Sequence, residues 1–434
     1  MLTSVKKYCS RWLKGTMKNS KAWRQLRRFG LEHCDFPTMM WNMSLFFRVL
    51  TLNIDSRYKK SISPIYYIVP VFCAACYYYT YLFSMVWILV AKSPDIVTAM
   101  VALSLATMPY FICLINSFTL SSKKVRKMVD ECLECDSFVI PGSRFHSNLM
   151  KALRSVKKRA MWFWIIINVN SVAYGLVPFF IPGRHLPEDL YIIYGLEPMF
   201  DSPNFELAHI LMDASVLFIC YTTANITAFI IITAGYTEAQ LLALSVELIN
   251  VWDDATIQYY TDIDITPDDL YSDLRPNFRT NANFFINLDV KRRLVQIIKR
   301  HTMNISLLRQ IEDVFRESMA VGFLFLIISL IAELLAGLDN TFLQIPFTLS
   351  QMAMDCFTGQ MIMDASLRFE RAVYYCKWEN FDVNNMKLVL LMLQNSQKTL
   401  TLSAGGITVL SFSTLMAILR SVYTAYTTFR SKSD

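Results

Sequence analysis

Five stretches of this chain run for more than twenty residues without a charged side chain: Ser61–Ala91, Ile96–Ser122, Ala160–Gly183, Ala214–Thr237 and Thr399–Leu419. An uninterrupted run of that length restricts the fold more than any other feature. About 20 apolar residues in a helix cross the ~30 Å hydrocarbon core of a bilayer. A non-helical backbone there would leave its polar groups without partners. Two further segments, Ser318–Leu338 and Thr341–Ala365, have the same length but carry a mid-span acid, Glu333 and Asp355 respectively. The composition agrees, with 54% hydrophobic and 18% charged residues and a mean hydropathy of +0.34. The expectation is an all-α polytopic membrane protein with seven transmembrane helices.

Charge placement predicts the orientation. Of the 42 Lys and Arg residues, 37 fall in residues 1–60, 119–160, 235–317 and 365–404, which are alternate connections. The intervening connections hold Lys92 and Arg184. The positive-inside rule then puts the N-terminus in the cytoplasm and the C-terminus outside. Residues 1–35 are basic and lack the apolar core of a secretory signal, which favours the same N-terminal placement. The net charge of +7 reads as cytoplasmic faces against anionic lipid, and no nucleic-acid module is visible. None of the ten cysteines falls in an outside connection, so no extracellular disulfide is expected. Cys132 and Cys135 have metal-knuckle spacing, but no second pair accompanies them.

The chain divides into a cytoplasmic N-terminal segment (1–60), a six-helix transmembrane region with cytoplasmic extensions (61–380), and an anchor helix followed by a last span (381–434). Leu294, Ile297, His301, Ile305, Leu308, Ile311 and Phe315 recur at steps of three and four. That spacing predicts a helix reaching from the fifth span well into the cytoplasm. The polar stretch between Thr261 and Phe284 reads as a loop. The outside connection 183–208 is acidic, with Glu188, Asp189, Glu197, Asp201 and Glu206 against Arg184. Such a loop would concentrate cations at an entrance.

In the last helix, Thr414, Ala417, Ser421, Thr424, Thr428 and Ser431 share one face. A stripe of small and hydroxyl-bearing residues either lets helices approach closely or lines a water-filled pore. Arg420 in the same helix points to water or a partner. Asp213 and Asp355 are functional candidates by their depth in the spans, or hydrogen-bonded structural groups. Catalytic signatures are missing: there is no GxSxG, HExxH, P-loop or dinucleotide-binding glycine pattern. Neither an enzyme activity nor a cofactor is expected.

The C-terminal third resembles the insect odorant receptor family. The residues that carry the resemblance are "IIKRHTMNISLLRQIEDVF", "DCFTGQMIMDASLRFERAVYYCKW", "LMLQNSQKTLTLSAG" and "LSFSTLMAILRSVYTAY", with "GLEPMFDSPNFELAHI" in the second outside loop. The resemblance implies a subunit of an odorant-gated, non-selective cation channel in the plasma membrane of sensory-neuron dendrites. It would assemble as a heterotetramer with a shared odorant co-receptor and pass monovalent and divalent cations. Four last helices would line the pore, placing Ser421, Thr424, Thr428 and Ser431 along it. Hydroxyls where such families often carry aliphatic residues imply a tuning subunit rather than the co-receptor. The family's pocket for small volatile odorants lies among the second, third, fourth and sixth spans. Candidates there are Thr107, Tyr110, Phe111, Ser171, Tyr174, Pro178, Met212, Val216, Phe347 and Gln351. Two alternatives share this architecture, a gustatory-receptor-like protein and a homomeric ligand-gated cation channel. A G-protein-coupled receptor would need the opposite orientation and lacks its DRY and NPxxY motifs here. A transporter would show inverted repeats or broken helices, and neither is visible.

Overall fold

The computed structural model describes residues 27–57, 65–92, 96–106, 119–262 and 276–433, and every long element in them is helical. Helix α1 (Phe36–Val49) starts behind Asp35, whose carboxylate accepts the Thr38 amide proton at 2.9 Å as an N-cap. A continuous rod, α2, follows from Ile65–Tyr77 through π-helical turns at Tyr78–Phe83 and Ile88–Lys92. Next come α3 (Ile96–Ala106), α4 (Lys123–Ser137), α5 (Arg144–Leu176), α6 (Asn204–Ile249) and α7 (Val251–Asp262). The remaining helices are α8 (Pro276–Ala336), α9 (Gln344–Tyr374), α10 (Val383–Ser396) and α11 (Phe412–Ser433).

Helices α2, α5, α6, α8 and α9 carry five of the seven expected spans, α3 carries the described start of the second, Ile96–Ala106, and α11 carries only the end of the last. Four are long and apolar enough to cross a membrane by length and composition: Tyr67–Lys92, Arg144–Phe180, Asn204–Ile249 and Ala282–Ala336. The 61-residue α8 carries the expected extension of the fifth span. Within the stretch read as a polar loop, residues from Pro276 onward are helical, contrary to that expectation, and residues 263–275 lie outside the described residues. A second difference concerns the window Thr399–Leu419. Its first half is a two-stranded hairpin, β1 (Ser403–Ala404) against β2 (Thr408–Val409), and α11 starts only at Phe412. Gly405 and Gly406 take φ of +69° and +72°, the left-handed region that glycine enters without a Cβ penalty. A hydropathy window does not register that turn.

Helix α6 is the axis of the bundle. From Thr222 to Leu241 every residue is buried, as expected of a helix apolar on all sides. Its hydroxyls are satisfied internally, Thr222 and Thr233 donating to the carbonyls of Phe218 and Phe229. Gly235 lets α5 approach, since a Cβ there would lie 2.4 Å from Val156 Cγ1. At the end of the bundle expected to face the cytoplasm, charges are paired. Arg144 bonds Glu247 at 2.9 Å and also Asp254, Arg293 bonds Asp289 at 2.6 Å, and Lys377 bonds Asp253 at 2.7 Å.

A candidate ligand cavity under the outer loop

At the opposite end, α2, α3, α5, α6, α8 and α9 diverge around a cavity of about 70 Å³. Its wall is mostly hydrocarbon: Leu105, Val216, Ile219, Leu326, Leu343 and Phe347, with the rings of Tyr77, Tyr81 and Tyr174. A concave apolar site with a few converging polar groups is the usual form of a small-molecule site.

The connection between α5 and α6 forms the roof. Leu186, Tyr191, Ile193 and Met199 are buried there against Tyr77, Tyr81, Met85 and Ile88 of α2. Tyr191 donates to the Tyr81 carbonyl at 2.6 Å. Ser84 donates to the Tyr79 carbonyl five residues back and accepts the Tyr194 amide proton at 3.1 Å. The π-helical turn of α2 is therefore tied to the roof, in keeping with the frequency of such bulges at functional sites.

Polar side chains stand in this wall, among them Ser104, Ser329, Glu333, Gln344 and Thr348, and the roof residue Glu188 bonds two lining residues from behind. Glu188, only 5% exposed, accepts from Gln344 Nε2 at 2.9 Å and Tyr174 Oη at 3.4 Å. Burial pushes its carboxyl up to about 8, against those two bonds. Ser104 Oγ bonds Gln344 Oε1 at 2.9 Å, which holds the amide that holds Glu188. On α8, Glu333 Oε1 accepts from Thr348 at 2.6 Å and Ser329 at 2.9 Å. Of the five acids in the outer loop only Glu188 turns inward; Asp189, Glu197, Asp201 and Glu206 are exposed, with Glu197 pairing with Lys92 at 2.7 Å and Asp189 with His185 at 2.7 Å.

The cavity brings together four of the residues the sequence suggests, Ser171, Tyr174, Val216 and Phe347. Met212 is fully buried but packs in the cluster beneath the roof. Pro178 is buried in the turn Val177–Phe180 that ends α5. Gln351 points at Thr227 Oγ1, 2.7 Å away, and does not line the cavity. Thr107, Tyr110 and Phe111 lie outside the described residues. Asp213 bonds His209 at 2.9 Å and Asp355 sits beside Gln351; neither lines the space. The walls missing from the sequence reading are α2 and α8. Tyr77 and Tyr81 stand one turn apart in a tyrosine-rich run that reads equally as an interface belt, and Glu333 is a mid-span acid.

Helix α11 lies against α8 and α9. Its residues Ser421, Thr424, Thr428 and Ser431 are exposed along one face. Their hydroxyls donate to the carbonyls of Ala417, Arg420, Thr424 and Thr428, at 3.0, 3.0, 2.8 and 3.1 Å. With the protons turned to the backbone, the oxygen lone pairs face outward, which is the polarity a cation requires.

A model of the 7tm odorant receptor family matches residues 95–423. Among sequence relatives, odorant receptor 85b of Drosophila melanogaster is 26% identical over 145 residues, covering 32% of this chain and 37% of that one. Odorant receptor 22c of the same species is 25% identical over 126 residues, covering 27% and 31%. These alignments span about a third of the relatives' length. The fold is similar to that of the insect olfactory receptor OR5 from Machilis hrabei in complex with eugenol, with a TM-score of 0.68, 11% identity, and coverage of 91% of this chain and 98% of that one. The same receptor in a second structure gives a TM-score of 0.68 at 12% identity.

Proposed function

The chain belongs to the odorant receptor family, and from that premise we propose that it is the odorant-tuned subunit of a ligand-gated, non-selective cation channel. Its partner is the shared co-receptor in a heterotetramer, and its ligands are small volatile molecules bound under the outer loop. The observation that carries this reading is the position of the cavity. Its walls include α8 and α9, and the same two helices hold α11. A ligand that fits better when α8 and α9 stand apart shifts the closed–open equilibrium toward the open state. Ser421, Thr424, Thr428 and Ser431 then face the permeation path. The charge distribution supports a cytoplasmic N-terminus and an extracellular C-terminus; residence in the plasma membrane follows from the proposed channel role, with residues 1–60, 61–380 and 381–434 as the functional segments.

The test is whole-cell current from this chain with and without the co-receptor while volatile esters, alcohols and aldehydes are applied. Cation current that requires both chains is the expected result. Current without the co-receptor would replace the tuning subunit with a homomeric channel. Silence in both, with the protein at the surface, would overturn the channel reading for this panel.

A further inference from the structure

Three residues that line the cavity carry a buried polar atom without a protein partner: Tyr81 Oη on α2, Ser171 Oγ on α5 and Glu333 Oε2 on α8. Glu333 is 2% exposed, and both hydroxyl bonds it accepts go to Oε1, leaving Oε2 without one. Ser171, 3% exposed on α5, has an Oγ without a partner, as has Tyr81 its Oη on α2. Buried polar atoms are almost always bonded, so three orphans around one cavity, two hydroxyls and a carboxyl oxygen, describe the group that completes them. Resting on the reading of this cavity as the odorant site, we infer that Glu333 selects ligands carrying a single hydroxyl group on a hydrocarbon body, with the hydroxyls of Ser171 and Tyr81 as further contacts.

The chemistry favours a hydroxyl over other polar groups. A hydroxyl donates to a carboxylate oxygen and accepts from a carboxylic acid, so it serves Oε2 in either protonation state. An ether or ester only accepts: Tyr81 Oη or Ser171 Oγ can donate to it, but at Oε2 it serves only the acid form, whereas a hydroxyl can bond all three orphans. An ammonium ion would bring three donors into a wall that offers one open carboxyl oxygen, stranding the rest in hydrocarbon. A ligand carboxylic acid would set two acidic oxygens face to face. Leu326, Val216, Ile219 and Phe347 supply the surface for the ligand's hydrocarbon body. A site built around a hydrogen bond rejects the analogue lacking it, because its own buried group is then left unpaired.

The test uses the purified full chain in lipid nanodiscs, with empty nanodiscs as the partitioning control. Binding of 1-hexanol, 1-octanol and 2-phenylethanol is measured against the methyl ether of each. The expected result is that at least one alcohol binds roughly ten-fold more tightly than its ether. Glu333→Leu should reduce that preference to less than about three-fold while leaving ether affinity in place, which also reports that the variant is folded. Glu333→Gln keeps an acceptor for Ser329 and Thr348 and should retain part of the preference. Equal binding of alcohol and ether, no binding of any alcohol, or a preference that survives Glu333→Leu would each overturn the inference. Currents with the co-receptor keep this result separate from the channel reading. Alcohol-selective binding without current leaves the ligand class standing and removes the channel. Current evoked equally by alcohol and ether leaves the channel standing and removes the ligand class.

Discussion

Glu188 is the residue whose environment departs most from what its sequence position suggests. In an outside loop with four other acids it reads as a solvated charge, yet it is buried and bonded to Tyr174 and Gln344. Its carboxyl is pushed up to about 8 in the folded protein from an ordinary value of 4.5, mainly by burial. Between those values the folded state holds a proton that the unfolded state has released, so folding stability falls as pH rises from about 4.5 to about 8 and is level beyond. Melting in nanodiscs between pH 5 and 8 should show a falling Tm, and Glu188→Gln should flatten the dependence. A Tm that declines equally in the variant would remove Glu188 as its source. His185, raised by its bond to Asp189, contributes in the same direction and is separated by His185→Asn. Ser171, Tyr174, Val216 and Phe347 were legible as neighbours around one cavity because span depth and family position both point to them. Tyr77, Gln344 and Glu333 were not, because which face of a span turns inward depends on neighbours that no local pattern names.

Helix boundaries were legible to the extent that hydropathy controls them. The length of α8 follows from a periodic face that continues past the apolar segment, and α10 follows from the apolar run Leu388–Leu393. The late start of α11 was not legible, since the hairpin before it is as charge-free as a span. That junction has a mechanical consequence. A Cβ on Gly359 of α9 would lie 2.2 Å from the Leu410 carbonyl oxygen and 2.6 Å from Leu410 Cβ, so no side chain fits without displacing the backbone that leads into α11. Gly359→Ala should therefore separate α9 from the start of α11, at a cost of about 1–3 kcal/mol for the overpacked contact. The expected phenotype is surface protein at half the normal level or more and a maximal current reduced roughly ten-fold, with alcohol binding at the distant cavity unchanged. Surface biotinylation and current on the same cells check this, and full current would show that the contact is not on the gating path.

At the scale of the whole molecule, α11 does not read as a finished part of a single chain. Ser421, Thr424, Thr428 and Ser431 are exposed together with Tyr423 and Phe429, and Arg420 is exposed among them. A charge and a hydroxyl row facing lipid would be costly, so this face calls for either a protein partner or water. Thr427 and Thr428 distinguish the two uses. Both are exposed in one chain, but successive helix positions point about 100° apart, and only Thr428 is in register with Ser421 and Thr424. If four copies of this helix surround water near an extracellular C-terminus, Thr428→Cys co-expressed with the co-receptor should react with a membrane-impermeant cationic thiol reagent applied outside. Odorant-evoked current should then fall by more than half, because a fixed positive charge in a narrow path repels the permeating cations. Thr427→Cys under the same treatment should lose little current, and the unsubstituted chain sets the background from native cysteines. Block at Thr427 with none at Thr428 would rotate the pore face away from the hydroxyl stripe and make that stripe a packing surface. Block of Thr428→Cys only from the cytoplasmic side would reverse the orientation on which the channel reading rests.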